Sequence, residues 1–134
     1  MIPGFEVQMR FADIDKMGHV NNAVYLNYFE AARMDFFYHL LGREWDWEED
    51  GIILLKNEVE YVKPVLLEHK PMVFVAVDHI GNKSFTLSYR LEIEGELYCK
   101  GVSLLVAYDY KGKKAQAIPS EMREKLVAQN RNSN

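Results

Sequence analysis

Apolar and polar positions change rhythm several times along the chain. From Phe5 to Arg10 they alternate, with Phe5, Val7 and Met9 set against Glu6, Gln8 and Arg10, which predicts a short strand. Residues 11–20 keep no regular period. A helical rhythm then begins: Tyr25, Phe29, Ala32, Phe36 and Leu40 recur three and four apart, and Leu26, Arg33, Phe37 and Leu41 broaden the apolar arc. Asn21 or Asn22 is placed to cap the first turn, and Gly42 supplies the stop. The resulting helix would have about twenty residues and a length of roughly 30 Å. A helix this aromatic has to be wrapped.

Arg43 to Gly51 is acidic, carries Trp45 and Trp47, and reads as a loop or short helical turn. Beyond it the rhythm becomes that of β-structure. Ile52 to Val62 predicts a long strand ended by Lys63-Pro64, and the nearly all-apolar Pro71 to Ile80 predicts a strand buried on both faces. Gly81-Asn82 marks a hairpin. Lys83 to Ile93 alternates, with Phe85, Leu87, Tyr89, Leu91 and Ile93 inward. Glu94-Gly95-Glu96 is the next turn, and Leu97 to Tyr108 is a last strand whose phase slips around Gly101, predicting a bulge there. Tyr110 to Lys114 is a basic exposed turn. A short helix starts at Pro119-Ser120, and Gln129 to Asn134 reads as a frayed polar tail.

Consecutive strands joined by short turns favour an antiparallel sheet, and one helix with a wide apolar arc requires that sheet to curl round it. The expected class is α+β: one long central helix wrapped by a curled antiparallel sheet of about five strands. It forms a single domain over residues 1–128, with 129–134 as the tail.

Composition narrows the chemistry. The chain has 134 residues, 49% hydrophobic and 27% charged, as an ordinary soluble domain does. A net charge of -4 argues against a nucleic-acid surface, which needs a concentrated basic face. The single cysteine, Cys99, sits in a strand pattern and reads as a buried, inert thiol. Met1 to Glu6 shows no basic region and no long apolar run, so no signal peptide is expected. No stretch has the apolar length of a membrane span, and the cytoplasm is the expected location. The four histidines show no metal-ligand spacing, so no metal is expected.

Chemistry-bearing residues gather just ahead of the long helix, where Asp13, Asp15, His19, Asn21 and Asn22 fall within ten residues. Helix starts leave backbone N–H groups without intrahelical partners and carry about half a positive charge. A carboxylate beside such donors suits attack on an acyl carbonyl, because preorganised N–H groups stabilise the developing oxyanion. One such donor is typically worth about 10²–10³ in turnover. On local grounds Asp13 and Asp15 equally fit Asx-turns.

The run Phe11-x-Asp13-x-Asp15-x-x-Gly18-His19-Val20-Asn21-Asn22-x-x-Tyr25, followed by Glu30-Ala-Ala-Arg33, resembles the signature of hotdog-fold acyl-CoA thioesterases of the 4-hydroxybenzoyl-CoA thioesterase type. Tyr61-x-x-Pro64-Val65 and Gly81-x-x-Ser84-Phe85 agree with it. The resemblance implies that Asp15 is the catalytic carboxylate, as general base or as nucleophile through a mixed anhydride. It implies that the backbone N–H of Asn22 polarises the thioester carbonyl. It also implies a homodimer or homotetramer with the active site between protomers and sheets paired edge to edge. Coenzyme A enters as part of the substrate, and no separate cofactor is implied.

Other residues stay open between chemical and structural roles. Asp13 is expected as a buried acceptor for loop N–H groups. His19 matches a second catalytic position in hotdog thioesterases acting on acyl carrier proteins, although Met17 departs from their run; it either contacts the reacting group or only fixes the loop. Glu30 and Arg33 fit an ion pair or an interface contact. Asn57 is a candidate for the substrate pocket or a satisfied core amide. Lys63, Lys83 and Arg90 are candidates for coenzyme A phosphates or solvated surface. Trp45 and Trp47 either line an acyl pocket or cover the helix end. Rival functions are acyl-carrier-protein thioester hydrolysis, (R)-specific enoyl-CoA hydration and non-catalytic acyl-CoA binding. Hydratases usually place four residues between Asp and His; here Asp15 and His19 are separated by three.

Overall fold

The computed structural model describes residues 2–133. Strand β1 (Phe5–Glu6) leads through a 3-10 turn (Phe11–Asp13) to the long helix α1 (Val24–Leu41). Strands β2 (Gly51–Tyr61), β3 (Met72–Ile80), β4 (Ser84–Ile93), β5 (Glu96–Asp109) and β6 (Lys114–Ala115) follow, and helix α2 (Ser120–Ser133) closes the chain. One antiparallel sheet runs in the order β1-β3-β4-β5-β2, with β6 pairing the end of β5.

The expected stripe is what the sheet wraps. Tyr25, Phe29, Ala32, Phe36, Phe37, Leu40 and Leu41 are buried together with Phe85, Leu87, Tyr89, Leu91 and Ile93 from β4. Leu26 departs from the expected arc and lies exposed, while Tyr28 and Arg33 are buried. Among the described residues no helix is long and apolar enough to cross a membrane.

Several local expectations change. The 5–10 strand keeps its alternation of burial, but only Phe5 and Glu6 pair with β3, because the backbone turns into the 3-10 segment at Phe11. Helix α1 has 18 residues and stops at Gly42, whose φ of 88° suits glycine. Neither Asn21 nor Asn22 is its N-cap. That position is Ala23, which makes no side-chain cap; Asn21 Oδ1 instead accepts the Ala23 N–H at 2.9 Å, ahead of the helix. β3 is not buried on both faces. Val73 and Val77 point into the core and Phe74 is 42% exposed.

Bulges fall at Leu55, Asp78 and Tyr98, where the registers of β2, β3 and β5 skip a residue, and not at Gly101. Cys99, Gly101, Ser103, Leu105 and Ala107 all face inward without a phase change. Gly101 serves close approach instead: a Cβ there would lie 2.9 Å from the Phe29 ring. Helix α2 packs along β3 and against α1, burying Met122 and Leu126, and Asn130 donates to the Val77 carbonyl at 3.0 Å. The helix therefore takes in residues that read as a polar tail; Asn134 lies outside the described residues.

Candidate active site

The segment ahead of α1 holds two aspartates in opposite states. Asp13, in the 3-10 turn, is 1% exposed. Its Oδ2 accepts the Tyr28 hydroxyl at 2.7 Å and the Arg10 N–H at 3.0 Å, and its Oδ1 accepts the Arg10 guanidinium at 2.9 Å. Burial pushes this carboxyl up, but the hydrogen bonds and the positive charge outweigh it and hold it below its ordinary range. Burial, with Asp13 as acceptor, raises the Tyr28 phenol. Asp13 is thus an acceptor for the loop, with its oxygens occupied.

Asp15 is exposed and closes a tight loop with His19. The Asp15 N–H donates to the His19 carbonyl at 2.8 Å, and the Gly18 N–H donates to the Asp15 carbonyl at 3.0 Å. Gly18 makes this turn possible at φ +80°. Asp15 Oδ1 accepts the N–H groups of Met17 (2.9 Å) and His19 (3.3 Å), leaving Oδ2 without a partner among the described residues. The Asx-turn and a free carboxylate oxygen therefore coexist in one side chain. Main-chain bridges from Ile14 to Val20 and from His19 to Leu66 anchor the loop to its surroundings.

Asn22 follows, two residues ahead of α1. Its carbonyl accepts the Tyr61 hydroxyl at 2.7 Å, while its N–H has no acceptor among the described residues. Asp15, His19, Val20, Asn22, Tyr25, Tyr61, Val62, Lys63 and Pro64 line a cleft of about 300 Å³. The main chain of His19 fixes the loop while the residue also forms part of the cleft wall. Tyr25 stands edge-on to Tyr61, with ring centroids 5.1 Å apart, and its hydroxyl accepts the Val65 N–H at 3.2 Å. Burial raises both phenols above their ordinary value. Tyr25 and Tyr61 stood in the sequence only as landmarks of the resemblance, at their offsets from the Asn-Asn pair and from Pro64. Nothing there marked them as walls of the site.

The remaining candidates divide. Lys63 lines the cleft, but its ammonium pairs with Glu96 and lies over the Tyr98 ring, 5.7 Å from the centroid. Asn57 is held elsewhere, at the exposed end of a polar chain that runs out from the core. Arg33 donates to the Tyr89 hydroxyl at 3.1 Å, Tyr89 to Ser103 Oγ at 2.9 Å, and Ser103 to Asn57 Oδ1 at 2.6 Å. Arg33 also approaches Glu30 at 3.8 Å, the ion pair its spacing allows. Lys83 sits on the exposed β3–β4 turn. Arg90 lies on the outer face of the sheet, beside a groove of about 440 Å³, and bonds Glu92 at 3.0 Å. Trp45 donates to the Asp50 carbonyl and Trp47 packs edge-on against Phe37, so both cover the C-terminal half of α1 rather than this cleft. The Cys99 thiol is fully buried and, by that burial, pushed up to about 12, which makes it inert as a nucleophile. Among the described residues no group of His, Cys, Asp and Glu could hold a metal ion.

Known proteins share this fold. Residues 9–126 match the family model described as the thioesterase-like superfamily. The long-chain acyl-CoA thioesterase FadM of Escherichia coli is 29% identical over 124 residues, covering 90% of this chain and 94% of that protein. The crystal structure of a thioesterase complexed with coenzyme A and zinc from Thermus thermophilus superposes with a TM-score of 0.83 at 33% identity, covering 95% of this chain and 92% of that one. A Pseudomonas aeruginosa protein of known structure gives 0.85 at 26% identity, over 95% and 90%.

Proposed function

Since the chain belongs to the thioesterase-like superfamily, we propose that it hydrolyses acyl-CoA thioesters to free acid and coenzyme A, with Asp15 as the essential carboxylate. The observation that carries this reading is one cleft lined both by a carboxylate with an oxygen unpaired among the described residues and by Asn22, whose N–H lacks an acceptor among those residues and lies just ahead of the positive end of α1. The thioester carbonyl oxygen is placed toward that N–H. Asp15 Oδ2 either takes a proton from an attacking water or adds to the acyl carbon itself. The C–S bond breaks, the thiolate of coenzyme A leaves and is protonated, and in the second route water then cleaves the anhydride. In both routes the negative charge of the tetrahedral stage falls on oxygen beside Asn22.

The full site belongs to a homodimer or homotetramer. Among the described residues β2 is an edge strand of 11 residues paired on one side only, with Leu54, Leu55 and Tyr61 exposed, and α1 exposes Leu26, Met34 and Tyr38. An open edge of this length, apolar at Leu54 and Leu55, is a liability that a second copy would remove by covering it. The cleft borders that edge through Tyr61 and Val62, so a partner covering it would complete the cleft wall.

The test is release of free thiol from a panel of acyl-CoAs (hexanoyl, palmitoyl and benzoyl), followed with a disulfide reagent, for the wild type and for Asp15→Asn. Thiol release that Asp15→Asn lowers by about a hundredfold or more supports the assignment. Loss of enoyl absorbance from crotonyl-CoA without thiol release indicates a hydratase, and binding without turnover indicates a carrier; either overturns it.

A further inference from the structure

Tyr61 does more than wall the cleft. We propose that its hydroxyl is a positioning group for the oxyanion donor, an inference that rests on the hydrolytic reading above. The peptide between Asn22 and Ala23 is pinned at both ends by side chains. Its carbonyl accepts the Tyr61 hydroxyl at 2.7 Å, and its N–H donates to Asn21 Oδ1 at 2.9 Å. Asn21 is itself held, its N–H donating to the Asp13 carbonyl and its carbonyl accepting the Val24 N–H, both at 2.9 Å.

These anchors matter because the segment lies ahead of the helical ladder. The first turns of a helix leave N–H groups without helical acceptors, and nothing in the helix itself fixes which way a preceding peptide faces. With the 22–23 peptide pinned and residue 21 anchored, Asn22 is constrained from both sides, and its N–H is the donor left over at the cleft. A donor held in place before reaction stabilises developing charge without reorganisation. Tyr61 is suited to the task. Its ring is braced edge-on by Tyr25 at 5.1 Å, and a phenol is a protonated donor at neutral pH. It is also the last residue of the open edge strand β2. The orientation of the donor is therefore tied to the strand that the proposed partner would cover.

The experiment compares Tyr61→Phe with the wild type and Asp15→Asn in kcat and KM for hexanoyl-CoA, palmitoyl-CoA and benzoyl-CoA. Removing one hydroxyl keeps the ring packing, so the thermal midpoint should hold. kcat should fall by about tenfold while KM stays within about twofold, the signature of an interaction that acts in the transition state. Asn21→Ala, which frees the other end of the same peptide, should lower kcat in the same manner. The double variant should fall short of the product of the two effects, since both act on one peptide. A wild-type kcat in Tyr61→Phe, or a loss expressed in KM alone, overturns the role of Tyr61 while leaving an inactive Asp15→Asn to support the hydrolytic reading. Full activity in Asp15→Asn, or no thiol release by the wild type, overturns that reading and the role of Tyr61 with it.

Discussion

Asp13 and Asp15 stand two residues apart in one loop, yet they show how the same side chain becomes either scaffold or reagent. Asp13 is closed off: buried, with three donors on its two oxygens and its carboxyl held below the ordinary range. Asp15 is half engaged, one oxygen locked into the turn by the N–H groups of Met17 and His19, the other without a partner among the described residues in a side chain that lines the cleft. Satisfied hydrogen-bonding capacity makes a group structural. A spare lone pair on a fixed frame is what chemistry requires.

Exchanging each carboxylate for its amide breaks this contrast most sharply. In Asp15→Asn the amide oxygen can still accept the two loop N–H groups, so the turn survives while the charge is lost. Turnover should fall by about a hundredfold or more with an unchanged thermal midpoint. Asp13→Asn should do the reverse. One oxygen cannot serve the Tyr28 hydroxyl, the Arg10 N–H and the guanidinium together, and leaving a buried donor unsatisfied costs about 1–3 kcal/mol. Chemical denaturation should show that loss of stability.

Acid sharpens the comparison further. Because folding lowers the Asp13 pKa, its stabilisation is complete above the unfolded value of 3.8 and is lost as pH falls through the lower folded value. The stability gap between the wild type and Asp13→Asn should therefore close below about pH 4. The smallest effect is expected at Gly18. A Cβ there would meet nothing within 4 Å, so Gly18→Ala adds only the strain of an alanine at φ +80°, about 1 kcal/mol, on the Asp15 side of the loop. Denaturation midpoints of the variant check it.

The same contrast explains what could be read from residues alone. Strong periodicity made α1 and β4 legible, since Phe29, Phe36, Phe85 and Leu87 repeat with the geometry of the element that buries them. The fixed offsets of Asp15, Gly18, His19 and Asn22 made the loop legible as well. Tertiary packing was not. Gly101 looked like a bulge because a glycine in a strand signals either a bulge or a close approach, and only the position of Phe29 decides between them. Lys83 and Arg90 share a charge that suits phosphates, whereas the fold sends them to a turn and to the outer face of the sheet, and Asn57 pairs across the strands with Ser103. Tyr61 escaped notice as a site residue because its partner, Asn22, is 39 positions away.

Cys99 lends the molecule a built-in control. Its sulfur is sealed inside β5, so a colourimetric disulfide reagent added to the native protein should react with liberated coenzyme and leave the polypeptide silent. Once the core opens, the same reagent would gain one equivalent per chain. The speed of that extra signal, followed on warming without any substrate, is then a stopwatch for how often the wrapped helix is laid bare.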